Sequence, residues 1–426
     1  MLRPLTALSV AALLVSGASV AQDTVIHAGK LLAEPGEGYL TEQTIFIDDG
    51  RIMRVEEGYV SPPEGSEVEV IDLKEAFVLP GLIDSHVHIL SEQSPTMRLK
   101  MLSYSEVDQA LEGVENARKT LMAGFTTVQD LGGSNEAVFS LRDAISAGRV
   151  IGPRIRAAGR AITPTGGHGD ANGFSPALTA VFTGPNSCNG ADDCRRAVRQ
   201  AVKSGADTIK ITATGGVLSN TRAGLGQQFF DDELVAIVET AASMGRKVTA
   251  HAHGKDGIEA ALRAGVQSIE HGSYLDDETI ALFLEYDATL VPTVLAGATV
   301  TGWTNEPWLP EPSREKAAVV GPLMLDMLAR ARAGGVNIAF GTDSGVSKHG
   351  HNAEEFVLMI EAGFTPEDAI RAATITASEH LELASEIGTI TAGKYADIIA
   401  LDADPLENIQ ELLDVDFVMK GGVVFK

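Results

Sequence analysis

The stretch FVLPGLIDSHVHIL, residues 77–90, is the one that decides the fold of this chain. Its first part is apolar and short, as expected of a buried strand, and it ends in His86-Val87-His88. Residues two apart on a strand point to the same face, so both imidazoles are predicted to converge on one point. Two such histidines supply half of the ligands of a divalent metal site. A single pair is weak evidence, and the other strands have to supply the rest.

The middle of the chain repeats this texture, with short apolar runs that alternate with helical patterns. The predicted strands are residues 79–86, 124–130, 154–159, 206–211, 246–251, 266–271, 288–292 and 336–342. Helical patterns lie between most of them, for example at 231–245 and 257–265. Eight strand–helix units favour a (β/α)8 TIM barrel, which is an α/β fold. An open doubly wound sheet is the alternative, but no G-x-G-x-x-G fingerprint follows the first strand.

Both ends of the chain have a different texture, of short strands and turns. Asp49-Gly50 between two alternating runs is a hairpin signal. Neither terminal set of strands is large enough for a core of its own. Residues 22–77 and 385–426 are therefore predicted to combine into one small β-sandwich domain, beside a barrel formed by residues 78–384.

The first 21 residues are predicted to be a cleaved export signal. Arg3 supplies the positive charge, residues 5–15 are mostly apolar, and Ser19-Val20-Ala21 supplies the small residues that a signal peptidase requires. The apolar stretch is too short for a permanent membrane anchor. No later stretch resembles a transmembrane helix, so we expect a periplasmic or secreted protein.

Length and composition are those of an ordinary soluble globular protein. The 426 residues allow more than one domain, and 44% of them are hydrophobic and 21% charged. The formal net charge of −25 argues against nucleic acid as a partner, because binding to phosphates needs a basic surface. The charge does not discriminate between classes of enzyme.

The chain has two cysteines, Cys188 and Cys194, in the polar stretch GPNSCNGADDC. In an oxidising compartment they are expected to close a small surface disulfide. Two unpaired surface thiols are the alternative. A structural zinc site is not expected here, because no further cysteine completes it.

A barrel carries its catalytic groups at the carboxyl ends of its strands, and polar residues fall at those positions here. They are His86 and His88 on strand 1, Lys210 on strand 4, His251 on strand 5, His271 on strand 6 and Asp343 on strand 8. Taken singly, a strand-end histidine is explained by a hydrogen bond in the core, and Asp343 by a turn or a helix cap. Their recurrence at the strand ends of one barrel favours a metal centre.

Lys210 distinguishes one metal ion from two. An ammonium beside metal ions is disfavoured by desolvation and by repulsion, so the neutral amine is favoured. A neutral amine can add carbon dioxide and become a carbamate that bridges two cations. The predicted ligands are His86, His88, Lys210 and Asp343 for one ion, and Lys210, His251 and His271 for the other. Two ions acidify a shared water molecule, and Asp343 accepts its proton and passes it to the leaving group.

With these residues in place, the chain resembles the amidohydrolase superfamily. The motifs are PGLIDSHVH, TIKI, TAHAHG, IEHG and FGTDSG, followed by the segment TITASEHLELASEIGTITAGKYADIIALDADPLENI that returns to the β-domain. The resemblance covers nearly the whole mature chain. It implies a metal-dependent hydrolase of amide C–N bonds with the six ligands named above, two divalent ions (Zn²⁺ is expected) and a carboxylated Lys210. A homo-oligomer is also expected.

Within the superfamily, the chain is most similar to the imidazolonepropionase-related branch. That branch contains Xaa-Pro-type dipeptidases, carboxypeptidase-like enzymes acting on N-acyl amino acids, and ochratoxin-hydrolysing amidohydrolases. Imidazolonepropionases and deaminases generally use one metal ion and lack the bridging lysine, so Lys210 favours the peptidase-like side.

Three functional hypotheses follow. The leading one is an exported hydrolase with two metal ions that cleaves the amide of dipeptides or N-acyl amino acids, ochratoxin A included. The alternative is a cyclic-amide hydrolase or a deaminase of the same superfamily. The third is a non-catalytic metal-binding scaffold, against which the intact Asp343 argues, because a scaffold needs no proton carrier.

A substrate of the leading class is a small molecule with a free carboxylate beside its scissile amide, so the mouth of the barrel needs hydrogen-bond donors. His168, His253, Arg222 and the backbone N–H groups of residues 215–217, including Val217, are the candidates. His253 points the same way as His251, and its alternative role is to support the metal ligands through hydrogen bonds. Arg222 alternatively faces solvent, and the Gly-rich loop at His168 is alternatively only a tight turn.

Overall fold

Strands in the middle of the chain run parallel, whereas the strands near its two ends pair mostly antiparallel. The computed structural model describes residues 24–62, 64 and 67–426. The predicted export signal, residues 1–21, lies outside the described residues. The strands are β1 (Thr24–Leu31), β2 (Leu40–Asp48), β3 (Arg51–Glu57), β4 (Glu69–Pro80), β5 (Leu82–Val87), β6 (Phe125–Asp130), β7 (Arg154–Ala157), β8 (Ile209–Thr212), β9 (Val248–Ala252), β10 (Ser268–His271), β11 (Thr289–Val291), β12 (Asn337–Ile338), β13 (Ile398–Leu401), β14 (Phe417–Lys420) and β15 (Val423–Val424).

Helices alternate with the parallel strands along the chain. They are α1 (Met97–Ser103), α2 (Glu106–Met122), α3 (Asn135–Ser146), α4 (Pro176–Phe182), α5 (Ala191–Ser204), α6 (Asp231–Ser243), α7 (Lys255–Arg263), α8 (Asp277–Glu285), α9 (Val294–Gly302), α10 (Glu311–Val320), α11 (Met324–Ala333), α12 (Glu354–Glu361), α13 (Pro366–Arg371) and α14 (Ala377–His380). A π-helical turn at Ala372–Thr376 joins the last two. Within the described ranges, none of the helices is both long and apolar enough to cross a bilayer.

Strands β5 to β12 form two parallel sheets, in the orders β5–β6–β7 and β8–β9–β10–β11–β12. Between β7 and β8, Ile162 forms a parallel bridge with Ile211, and its N–H donates to the carbonyl oxygen of Lys210 at 2.8 Å. Between β12 and β5, Val87 forms a parallel bridge with Ser344. The predicted α/β class is confirmed, and hydrogen bonds continue across both gaps between the two sheets.

Burial on both faces explains why these strands read as continuous apolar runs. Helices α2, α3 and α6 pack against β6, β7 and β9. Every residue of β5, β6, β8, β9, β10 and β11 is buried. A strand covered on both sides can be apolar along its whole length. Buried polar residues such as Lys210 and His251 are therefore exceptions that need a partner or a function.

The two ends of the chain meet in one sheet with the strand order β15–β14–β13–β4–β1–β2–β3. Strand β4 joins them, because residues 69–78 pair in parallel with β1 while residues 77–80 pair antiparallel with β13. Because β4 is long enough to pair with both sets of strands, all seven strands share one hydrogen-bonded sheet. The β-sandwich stays a prediction. The domain bounds at 77 and 385 stay a prediction.

Cys188 and Cys194 form a disulfide, which decides between the two alternatives that the sequence left open. The N–H of Cys188 donates to the carbonyl oxygen of Thr163 at 3.0 Å. Both cysteines are fully buried in the main hydrophobic core, so the expectation of a surface position was wrong. Their neighbours Asn189 and Asp192 are exposed, and the polar composition of the stretch therefore concealed the burial of its cysteines.

Candidate metal centre

Histidines from three strands meet Asp343 at the carboxyl ends of the parallel strands. One ligand atom each from His86, His271 and Asp343 lies within 4.8 Å of the other two, and the same holds for His251, His253 and His271. All five residues are buried. His271 belongs to both groups, so the structure brings two adjacent clusters of metal-binding side chains together.

His88 stands beside the first of these groups. Its Nε2 atom lies 3.2 Å from Asp343 Oδ1, and the same oxygen lies 3.6 Å from His86 Nε2. The ring centroids of His86 and His88 are 5.4 Å apart. Imidazole nitrogens and carboxylate oxygens are ligands that Zn²⁺ accepts, so the chemistry of these donors suits the predicted ion.

His86 and His88 are both held through their Nδ1 atoms. His86 Nδ1 lies 2.7 Å from Glu270 Oε2, and His88 Nδ1 lies 2.9 Å from the carbonyl oxygen of Gly132. Because a carboxylate and a carbonyl only accept hydrogen bonds, Nδ1 carries the proton in both rings. In the neutral ring Nε2 then keeps its lone pair, which is the form in which histidine binds a metal ion.

Glu270 is a residue of the candidate site that the sequence reasoning missed. It is fully buried and also accepts hydrogen bonds from the hydroxyls of Thr249 and Ser268. Burial raises the pKa of Glu270, and the charge of Lys210 opposes that rise. Glu270 directly precedes His271, and strand alternation puts such neighbours on opposite faces. His271 has a φ of +74°, which leaves the extended conformation and explains how both side chains attend the same centre.

Three residues of the site share this left-handed backbone, namely His271, Thr293 (φ +52°) and Asp343 (φ +56°). Such angles in residues other than glycine cost about 1–3 kcal/mol each, and they persist where the surroundings hold them. Thr293 Oγ1 lies 2.7 Å from His271 Nδ1. The N–H of Asp343 donates to the carbonyl oxygen of His86 at 2.8 Å. The strained turns are therefore fixed by the metal-centre histidines themselves.

Lys210 lies in the same buried space, and its ammonium has no hydrogen bond to any residue that the structure describes. Its side chain is only 4% exposed. Burial lowers the pKa of Lys210, although the carboxylates of Glu270 and Asp343 oppose this. A lysine so placed gives up its proton more easily than an ordinary one.

The pKa shifts of most side chains in the centre favour the forms that bind metal ions. Burial lowers the pKa of His86, His251 and His271 well below its usual value, so these rings are neutral. Burial also opposes charge on His88 and Asp343, but the contact with Asp343 raises the pKa of His88, and the adjacent imidazoles lower that of Asp343. Neutral imidazoles and an ionised carboxylate are the forms that coordinate cations, so His86, His251, His271 and Asp343 are ready to bind, whereas His88 has to release a proton on binding.

The two histidines predicted to bind substrate line the same space. His253 Nδ1 lies 2.8 Å from Ser273 Oγ, and the His253 ring is 4.9 Å from that of His271. His168 stacks on His251 with 4.1 Å between the ring centroids. Burial lowers the pKa of both His168 and His253 to about 3, so both rings are neutral.

The other two predicted substrate-binding residues, Val217 and Arg222, lie in or next to the turn after β8 and have different environments. Val217 is buried in this turn. Its neighbour Gly216 packs so closely on His168 that a Cβ atom there would lie 2.2 Å from the imidazole. Arg222 is two-thirds exposed and forms ion pairs of 3.4 and 3.6 Å with two glutamates of α10. The structure therefore brings Val217 next to the histidines and does not bring Arg222 there.

Asp84, inside the first motif, ties β5 to the segment that carries Asp343. Its carboxylate accepts hydrogen bonds from Thr342 Oγ1 at 2.6 Å, from Asn352 Nδ2 at 2.7 Å and from the N–H of His86 at 3.1 Å. Burial raises the pKa of Asp84 to about 6. A carboxylate in an otherwise apolar strand was the available sequence signal for this role.

Glu355 fixes the start of the helix next to His271. Its two carboxylate oxygens accept hydrogen bonds from the N–H groups of Val294 and Leu295, the first residues of α9, at 2.9 and 2.6 Å. Thr293, the residue before them, is the partner of His271. Burial raises the pKa of Glu355 to about 8.

Glu355→Gln is expected to lower the free energy of unfolding by about 1–3 kcal/mol, because an amide offers one acceptor where the carboxyl offers two. Denaturant titration measures this. The folded-state pKa of about 8 exceeds the ordinary 4.5, so the wild-type carboxyl contributes stability below about pH 4.5 that is lost as the pH rises through about 8. The difference in the free energy of unfolding between the wild type and Glu355→Gln should therefore become smaller as the pH increases. An equal loss of stability in Glu354→Gln, at an exposed neighbour, would contradict the assignment.

Comparisons with known proteins identify the family of this chain. A sequence model of the amidohydrolase family matches residues 77–425. Ochratoxinase of Aspergillus niger is 32% identical over 97% of this chain and 89% of its own length. An imidazolonepropionase of Shouchella clausii is 25% identical over 84% of this chain and 78% of its own. The crystal structure of a Xaa-Pro dipeptidase with bound methionine in the active site has a TM-score of 0.90 and 40% identity, over 95% of this chain and 100% of that one.

The family match includes every side chain of the two clusters, and the relatives come from the branch that the motifs indicated. The chain belongs to the amidohydrolase family and is a hydrolase that acts on amide bonds.

Proposed function

We propose that this chain is an exported hydrolase that uses two metal ions to cleave the amide bond of dipeptides or N-acyl amino acids. One observation carries the proposal: His271 belongs to two adjacent groups of side chains that could hold a metal ion, and the buried amine of Lys210 has no hydrogen bond among the described residues. A site for a single ion needs neither the second group nor the lysine.

The donors fit two divalent ions, for which Zn²⁺ is the simplest choice. The residues that would hold them are His86, His88, Lys210 and Asp343 for one ion, and Lys210, His251 and His271 for the other. The fit rests on buried neutral imidazoles and on an amine without a hydrogen bond among the described residues. When bound, the ions lower the pKa of a water molecule and polarise the scissile carbonyl.

Lys210 would serve as a carbamate. The lone pair of the neutral amine adds to the carbon of carbon dioxide, an N–C bond forms, and one proton leaves. The product would be an anion, and its oxygens would be ligands that divalent cations accept. The lowered pKa of Lys210 supports the step, because only the neutral amine has the lone pair.

The chain's own residues then carry the proton and orient the substrate. Ionised Asp343 accepts the proton of the attacking water and returns it to the leaving nitrogen. Neutral His253, with Nδ1 held by Ser273, donates to the scissile carbonyl oxygen from its other nitrogen if Nε2 carries the proton. The free carboxylate is bound by His168 and by the N–H of Val217. Arg222 is not assigned to it, because two carboxylates already engage Arg222 at the surface.

The substrate class draws on the relatives, one of which is a Xaa-Pro dipeptidase and another an ochratoxinase. Export draws on the sequence of residues 1–21 and on the disulfide, which is the form that cysteines take in an oxidising compartment. We also propose that β5 to β12 close into a (β/α)8 barrel, since bridges join the two parallel sheets at both gaps.

The second candidate function is the hydrolysis of a cyclic amide, or a deamination. The imidazolonepropionase relative favours it, at 25% identity. It predicts one metal ion per chain and the opening of a ring or the release of ammonia. Lys210 then has no bridging role, which leaves its burial without a reason.

The test is a hydrolysis screen on the purified chain, with its metal content measured on the same sample. The substrates are dipeptides, N-acyl amino acids, ochratoxin A and cyclic amides. Cleavage of the first three classes with two ions per chain supports the proposal. Ring opening or ammonia release with one ion supports the second candidate, and a metal-loaded protein that leaves every substrate intact would indicate a binding scaffold.

A further inference from the structure

Lys316, on α10, holds the turn that follows β8 (residues 215–221, here the β8 turn). Its ammonium donates to the carbonyl oxygens of Gly216, Ser219 and Thr221 at 2.7, 2.8 and 3.4 Å. The side chain is half-buried, and no carboxylate within the described ranges forms an ion pair with it. Burial lowers the pKa of Lys316 to about 8, so below that pH its side chain is a positive charge that carbonyl dipoles balance.

The other side of the β8 turn touches the metal-centre histidines. Ser219 Oγ lies 2.5 Å from His168 Nδ1, and the carbonyl oxygen of Gly215 lies 3.5 Å from His251 Nε2. Gly216 packs against the His168 ring with no room for a Cβ atom. The β8 turn therefore separates the ammonium of Lys316 from the metal centre and contacts both. A substitution of Lys316 is expected to affect the centre by displacing this turn.

The orientation of the peptide group between Gly216 and Val217 determines which polar group of the β8 turn faces away from Lys316. The structure has no cis peptide bond among its described residues, so the C=O of Gly216 and the N–H of Val217 point in opposite directions. Because the C=O points at Lys316, the N–H points away from it. Val217 is only 6% exposed, and its N–H donates to no acceptor in the described part of the chain. A buried N–H without an acceptor is costly, so this donor is expected to have a ligand.

The positive charge of Lys316 indicates that this ligand is an anion. Its ammonium donates to the carbonyl oxygen of Gly216, and Gly216 packs directly against the His168 ring, so the charge lies one peptide group away from the candidate site. In a buried site such a field favours an anion and disfavours a neutral group of the same shape. A carboxylate meets both requirements, as an acceptor for the N–H and as an anion for the field.

We propose that Lys316 is a positioning residue that makes this enzyme prefer substrates with a free carboxylate. It holds the β8 turn so that the N–H of Val217 donates to that carboxylate, and its own charge stabilises the anion through the turn. This inference rests on the proposed function, since it assumes that the scissile amide lies at the metal centre.

The test compares an N-acyl amino acid with its C-terminal carboxamide. In Lys316→Met, KM for the acid is expected to rise about tenfold or more, with kcat and metal content little changed, because the binding of the anion is what is lost. The KM for the carboxamide should change far less. Lys316→Arg, which keeps the charge, should restore most of the preference. The matched control is Arg314→Met, on the same helix, whose guanidinium contacts the carbonyl oxygens of Glu306 and Leu309 instead.

The same fold-change for both substrates, or none for either, would overturn the proposal. Thermal unfolding of each variant shows whether it is folded, and Lys316→Gln replaces the methionine variant if that one is not. If the wild type cleaves neither compound, titration calorimetry of the same pair decides. Tighter binding of the acid by the wild type, lost in Lys316→Met, supports the inference although the proposed function has failed. Equal binding of acid and carboxamide by the wild type overturns it.

Discussion

Lys210→Ala is expected to remove bound metal and hydrolysis together, with kcat/KM falling about a thousandfold or more. Lys210 is the one ligand common to both predicted ion sites, so its loss weakens the binding of both ions. Metal ions supply several kcal/mol of transition-state stabilisation, and about 4 kcal/mol corresponds to a thousandfold in rate. The buried amine has no hydrogen bond to any described residue, and a bridging role accounts for that where packing does not.

Metal content by mass spectrometry and kcat/KM on the same sample measure this. Lys203→Ala, at an exposed position on α5, is the matched control and should change neither. Small carboxylic acids added to Lys210→Ala should restore part of both readouts, because they supply the missing anionic bridge. Two ions per chain and unchanged activity in Lys210→Ala would exclude the bridging role.

The convergence of polar side chains at the strand ends could be predicted because two simple rules applied. Parallel strands end at one edge, and alternation on β5 puts His86 and His88 on one face. The same logic singled out Lys210 and His251 on their own strands. What made these residues visible is that they interrupt runs that burial on both faces keeps apolar.

The features of the site and fold that were not predicted depend on backbone geometry, which the periodicity of apolar residues does not reveal. Glu270 and His271 attend one centre only because of the left-handed backbone at His271. The last strand, predicted over 336–342, is β12 of two residues, since the N–H of Phe340 donates to Ala372 in the π-helical turn and leaves the ladder. The length of β4, which joins both terminal sets of strands in one sheet, is another such case.

Arg222 and Lys316 show why reasoning from residues that are close in the sequence can miss a contact in space. Arg222 lies in the chain segment beside the site, and it was predicted for that reason. The structure brings Lys316 to the same segment from a helix 100 positions beyond Gly216, and Arg222 turns to glutamates at the surface. Contacts of that separation leave no trace in the pattern of a single sequence.

Asp343→Asn is expected to lower kcat by about 10²–10⁴-fold while most of the metal stays bound. The amide keeps the shape of the carboxylate and an oxygen for the ion, but it cannot accept a proton. The N–H of Asp343 is bonded to the carbonyl oxygen of His86, which keeps the side chain in place. Metal content and kcat are measured together, with Asp326→Asn, exposed on α11, as the control. Loss of metal in proportion to activity would make Asp343 a ligand alone, and an unchanged kcat would remove it from the proton transfer.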